Sequence, residues 1–137
     1  MTNTIKPVNE AGTKILNSIF SLCEKDAEQA VKIDNTSGVF MPLCAEIIVY
    51  TKKAAHLSLC HYGEQNGDLM RDPEMVFLKM ENFFYPFYWR NDYVGIENEA
   101  LQIENLAQIT GINKTMYKSF LEFADLWLKN IKEQQGL

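Results

Sequence analysis

His61-Tyr62-Gly63-Glu64-Gln65-Asn66-Gly67-Asp68-Leu69-Met70-Arg71-Asp72-Pro73-Glu74-Met75 is a polar stretch set between two apolar runs. Leu57-Ser58-Leu59-Cys60 precedes it and Val76-Phe77-Leu78 follows, each short and rich in residues that sit well in a sheet. Asn66-Gly67 tolerates positive φ at consecutive positions, so the stretch reads as a β-hairpin whose loop is wider than the tightest two-residue form. The acids around the turn are then displayed beside a sheet rather than along a helix.

Working outward, Asn9 to about Glu24 reads as a helix. Ile15, Leu16, Ile19, Phe20 and Cys23 recur at spacings of three and four, Asn9 is the cap, and Gly12 weakens the first turn. Ala30 to Ile33 is extended and ends in a turn by composition, Asp34 to Gly38. The run Val39 to Tyr50 follows as a strand with Pro42 near its start or on an edge. Glu46 is the one charge in that run, and a period of two places it on a face with Cys44, Ile48 and Tyr50.

His56 to Tyr62 forms the incoming arm of the hairpin and about Pro73 to Met80 the outgoing one. A second short turn at Glu81-Asn82 leads into Phe83-Phe84-Tyr85-Pro86-Phe87-Tyr88-Trp89. Strict alternation puts Phe83, Tyr85, Phe87 and Trp89 on one face and Phe84 and Tyr88 on the other. Pro86 argues for an edge strand or a bulge, and aromatics on an outer edge mark a partner surface or a homodimer contact, with Phe84, Tyr88 and Trp89 the candidates. Tyr93 to Ile96 begins another extended piece, which continues to about Ile103. From the cap Asn113 onward, Met116, Phe120, Phe123, Ala124, Trp127 and Ile131 make an apolar stripe with charges opposite, a core helix.

Helix, then strands, then helix gives an α+β fold. It is expected to have two layers, an antiparallel β-meander of four to five strands with the N- and C-terminal helices packed on one face, forming a single domain over residues 1–137. The other face would carry Glu46 and the loop between Tyr62 and Pro73.

A net charge of −5 with 13 scattered basic residues argues against direct binding of nucleic acid, since affinity for phosphate backbones comes from clustered Lys and Arg. An acidic balance fits a protein partner better. No apolar run is long enough to span a bilayer, and Met1 to Pro7 lacks the apolar core of a signal peptide, so a cytoplasmic, non-membrane protein is expected. Cys23, Cys44 and Cys60 are odd in number and set among apolar residues, which suits buried free thiols.

His61-Tyr62, Gln65-Asn66-Gly67-Asp68-Leu69-Met70 and Asp72-Pro73-Glu74-Met75 together resemble the signature of an uncharacterised domain family. That family is common in phages, conjugative elements and gut Firmicutes, both as small stand-alone proteins and as a module of larger polyvalent proteins. Met41-Pro42-Leu43 with Glu46, and Tyr85-Pro86 followed by Asp92 and Gly95-Ile96, are similar to it as well. The likeness runs over roughly residues 30 to 100 and implies a mobile-element origin, but it assigns no residue a catalytic role.

The candidate site comprises Glu46, His61, Glu64, Asn66, Asp68, Asp72 and Glu74. Carboxylates at this density are what hard divalent cations require, with Asp68, Asp72 and Glu74 the candidate metal ligands, yet the spacing is not that of an EF-hand. Lys79 has no acid two positions before it, which departs from metal-dependent nucleases. His61 shares parity with Leu57 and Leu59 and reads as a core histidine. No P-loop, nucleophile elbow or dinucleotide fingerprint is present. The leading expectation is therefore a non-enzymatic protein-interaction module of a mobile element, modulating a host or element nucleic-acid machinery, for instance by inhibiting a defence nuclease. The rival is a metal-dependent hydrolase or nucleic-acid-processing module using Glu46, His61, Asp68, Asp72 and Glu74.

Overall fold

The computed structural model of the chain describes residues 5–36 and 38–137. Helix α1 (Glu10–Lys25) opens it, followed by β1 (Ala30–Ile33), β2 (Leu43–Tyr50), β3 (Ala55–Gln65), β4 (Asp68–Met80), β5 (Phe83–Asn91) and β6 (Ile96–Glu99). A small hairpin, β7 (Leu101–Glu104) and β8 (Gln108–Ile112), then leads into α2 (Lys114–Gln135). The first six strands form one antiparallel sheet in sequence order, and β7 with β8 forms a second. This is the expected α+β meander with more strands than the four or five anticipated.

The helix boundaries follow from local chemistry. The Asn9 side chain accepts from the Gly12 N–H, and the Asn113 side chain accepts from the Met116 N–H, so each helix opens on a satisfied cap. Ile15, Leu16, Ile19, Phe20 and Cys23 of α1 and Tyr117, Phe120, Ala124, Trp127, Leu128 and Ile131 of α2 are buried against the sheet. The sheet meets them with Leu43, Ala45, Ile47, Leu57, Leu59, Met75, Phe77 and Phe84. Gly12 packs against Val8 and against Leu128 of α2. A Cβ there would lie 2.6 Å from Val8 Cγ1 and 3.1 Å from Leu128 Cδ1.

The central hairpin is tighter than the sequence suggests. Gln65 pairs directly with Asp68, leaving Asn66 (φ 54) and Gly67 (φ 86) as a two-residue connection with positive φ at both positions, as a type I′ turn requires. The polar residues on either side, His61 to Gln65 and Asp68 to Asp72, extend the strands instead of forming a wide loop. β2 begins at Leu43, so Val39, Phe40 and Met41 are exposed loop residues rather than strand. Ser37, within the turn expected over 34–38, lies outside the described residues.

Register shifts redistribute the side chains that strict alternation would place. One between Ile47 and Val49 turns Tyr50 away from Glu46 and onto the helix layer, where its ring lies 5.8 Å from Phe20. Another, between Val76 and Phe77, leaves Phe87 as the extra residue on β5. Phe84 and Trp89 therefore share the helix face, and Tyr85, Phe87 and Tyr88 lie on the other. Nor is β5 an edge. It is paired with β6 over Tyr88 to Asn91, and its Phe84 and Phe87 carbonyls accept from the Val8 and Ala100 N–H groups.

The outer sheet face is covered at one end only. Val49, His56, Leu78 and Tyr85 form a row across β2 to β5 on that side. Leu78 is fully buried there, and the tip of the β7–β8 hairpin is held to the same row by a 2.8 Å bond from His56 Nε2 to the Leu106 carbonyl. Asn105 (φ 52) and Leu106 (φ 66) make that tip with no glycine. Among the described residues, no helix is long and apolar enough to cross a membrane.

Candidate functional site

Beyond the β7–β8 hairpin the outer face is open, and the ladder arranges its side chains in two rows. Lys32, Cys44, Cys60, Glu74, Arg90 and Glu97 are successive cross-strand partners from β1 to β6. Beside them run Ala30, Glu46, Ser58, Val76, Tyr88 and Glu99. Two adjoining hollows lie over these rows. One, of about 310 Å³, is lined by Lys32, Cys44, Glu46, Ser58, Cys60, Tyr62 and Glu74. The other, of about 380 Å³, is lined by Ile48, His56, Arg71, Glu74, Val76, Phe87, Tyr88 and Arg90. Glu74 borders both.

Hydrogen bonds hold this surface in one arrangement. Ser58 Oγ donates to Glu74 Oε2 at 2.6 Å, and Arg71 Nε lies 3.8 Å from the other Glu74 oxygen. Tyr88 Oη donates to Glu97 Oε2 at 2.5 Å, with Arg90 Nη1 3.9 Å from the same oxygen. Asp92 ties the end of the face together: it accepts from the Arg71 N–H at 2.9 Å and from Arg90 Nε at 2.8 Å. Those two donors hold its carboxyl below the ordinary carboxylate range. Burial is the main cause that pushes the Tyr62 hydroxyl up to about 12, and the neighbouring Cys60 and Glu74 add to the shift.

The expected site residues do not gather in one place. Glu46 and Glu74 are on the outer face, flanking Ser58. His61 is on the helix face, buried, with its ring 5.4 Å from Trp127 and perpendicular to it. Desolvation lowers its pKa, while Asp72 opposes the shift. Asp72, joined to Pro73 by a cis peptide bond, accepts from Asn91 Nδ2 at 2.9 Å. Glu64, Asn66 and Asp68 are exposed at the far tip of the hairpin. Among the described residues, no three His, Cys, Asp or Glu side chains are grouped to hold a metal ion.

The aromatic candidates also separate. Phe84 is fully buried, with its ring 6.5 Å from that of Phe20, and cannot meet a partner. Trp89 packs edge-on against Phe123 of α2 at 6.3 Å. Tyr88 alone of the three stands on the open face.

Several residues that matter here carry no local sequence signal. Arg71 and Arg90 read as ordinary turn and strand charges until the ladder brings them together with Asp92, which the family resemblance had singled out without a role. Gln135, at the end of α2, is buried and bonds the Asn35 N–H and the Met41 carbonyl, fixing the loop before β2. Cys44 is half-buried rather than enclosed, and Lys32, remote in sequence, is its partner across the ladder.

No curated protein and no solved structure matches the chain. A family model does match, over residues 14–137, and so reaches well beyond the central hairpin to take in most of α1 and the whole of α2. The chain belongs to that family, described as a domain of unknown function, DUF6908.

Proposed function

We propose that the chain is a protein-interaction module that engages a polypeptide with the open half of its outer sheet face, in the service of a phage or conjugative element. The observation that carries this reading is the row of alternating charge across the open face, Lys32, Glu74, Arg90 and Glu97, set beside an apolar floor of Ile48, Val76 and Phe87. Tyrosine and arginine over an apolar floor are what protein interfaces favour, because they combine large contact area with directed hydrogen bonds. The pinned Arg71–Glu74 and Arg90–Asp92 pairs keep these groups ordered before binding, which lowers the entropy cost of association.

A hydrolytic reading needs Glu46 and His61 at one centre, and they stand on opposite faces of the sheet. The binding reading is tested by photo-crosslinking in host cells that carry the element. A photoreactive amino acid replaces Tyr88 on the open face or, as a control, Leu126 on the exposed side of α2. A discrete protein adduct from position 88 and none from 126 is expected. Equal adducts from both positions, or none from 88, would refute it.

A further inference from the structure

We propose that Cys44 and Cys60 are a modification site: a cross-strand dithiol that closes to a reversible disulfide by exchange with a low-molecular-weight disulfide. The two residues are direct partners in the β2–β3 ladder and line the same hollow on the open face. Side chains directly opposite on antiparallel strands have Cβ atoms roughly 4.5–5.5 Å apart, and a disulfide wants about 3.5–4.5 Å, so the bridge closes with a small adjustment of the pair. The inference does not depend on the protein-binding reading.

The surroundings set the order of events. Cys44 is the more exposed thiol and has Lys32 as its cross-strand neighbour, which favours its thiolate. Cys60 is buried and donates to the His61 carbonyl. Cys44 Sγ, as thiolate, attacks one sulfur of the small disulfide, forming a mixed disulfide and releasing one thiolate. Cys60 Sγ then attacks Cys44 Sγ, the Cys44–Cys60 bond forms, and the second small thiolate leaves. Two protein thiols are oxidised, one external disulfide is reduced to two thiols, and the protons from the cysteines pass to solvent or to those leaving thiolates.

Burial raises both thiols above the ordinary cysteine value, Cys60 to about 12, so closure is slow at neutral pH and is paced by the thiolate fraction. Cys23 provides an internal control. It is fully buried on the helix side of the sheet and has no cysteine opposite it.

The test equilibrates the folded, fully reduced chain in graded mixtures of reduced and oxidised glutathione, followed by acid quench, alkylation, intact mass and peptide mapping. The expected product has lost about 2 Da, contains a 44–60 crosslink and retains one alkylatable thiol, that of Cys23. Its rate of formation rises roughly tenfold per pH unit between about pH 7 and 8. Cys60→Ser should instead accumulate a glutathione adduct on Cys44, and Cys44→Ser should gain neither bridge nor adduct. The proposal is overturned if wild-type protein keeps three free thiols at the oxidising limit. A mixed disulfide that never resolves, or consumption of Cys23 as fast as Cys44, would overturn it equally.

Discussion

Replacing Leu59 by alanine tests whether the two faces of the sheet are assigned correctly. Leu59 is fully buried at the centre of β3, flanked on the helix face by Ala45 and Met75. The change removes three carbon groups, roughly 2.4 kcal/mol of transfer free energy at about 0.8 kcal/mol each. The cavity left between sheet and helices adds to this, because neighbours on a paired ladder relax little, giving a total of about 3–4 kcal/mol. For a chain of this length that corresponds to a fall in melting temperature of roughly 10–20 °C. Ile48, on β2 but exposed on the open face, serves as the contrast, and Ile48→Lys should stay within about 0.5 kcal/mol of wild type. Urea unfolding followed by fluorescence of Trp89 and Trp127 measures both. Equal losses for the two variants, or a larger loss for Ile48→Lys, would refute the placement of the core on the helix side.

Stability should also fall as pH drops below about 6.5, the ordinary value at which His61 titrates in the unfolded chain. The folded pKa is lower, so over the window beneath 6.5 the unfolded state binds more protons and gains on the folded one. His61→Gln should flatten that acid limb in chemical denaturation at graded pH, and an unchanged limb would contradict the burial of a neutral imidazole against Trp127. Gly12→Ala should destabilise by about 1 kcal/mol or more, although alanine is the better helix former by a similar amount, because its Cβ would press on Val8 and Leu128. A gain in melting temperature would show that α1 and α2 have slack at that crossing.

The parts of this fold that depend on local chemistry could be read from the sequence. Asn9 and Asn113 cap their helices, the apolar stripe of α2 faces the sheet, and Glu81-Asn82 makes the second turn. The parity of His61 with Leu57 and Leu59 likewise foretold its burial beneath a helix. What was hidden depends on pairing. A period-two reading cannot anticipate a bulge, so one extra residue at Phe87 was enough to put Tyr85 and Trp89 on opposite faces. The β7–β8 hairpin was missed because Asn105 and Leu106 turn the chain without glycine or proline. The open face itself is a property of the ladder. Lys32, Cys44, Cys60, Glu74, Arg90 and Glu97 come from six strands, and no local motif joins them.

Titration of the isotope-labelled protein with Mn²⁺, followed by paramagnetic broadening of amide resonances, tests most directly the claim that the hairpin acids do not form one metal centre. The sheet geometry predicts no broadening that saturates at one equivalent, and at higher concentrations a weak effect that does not saturate and is centred on the exposed tip around Glu64 and Asp68. Broadening that saturates at one equivalent and is strongest at Glu46, His61, Asp72 and Glu74 would contradict it and restore the hydrolytic reading.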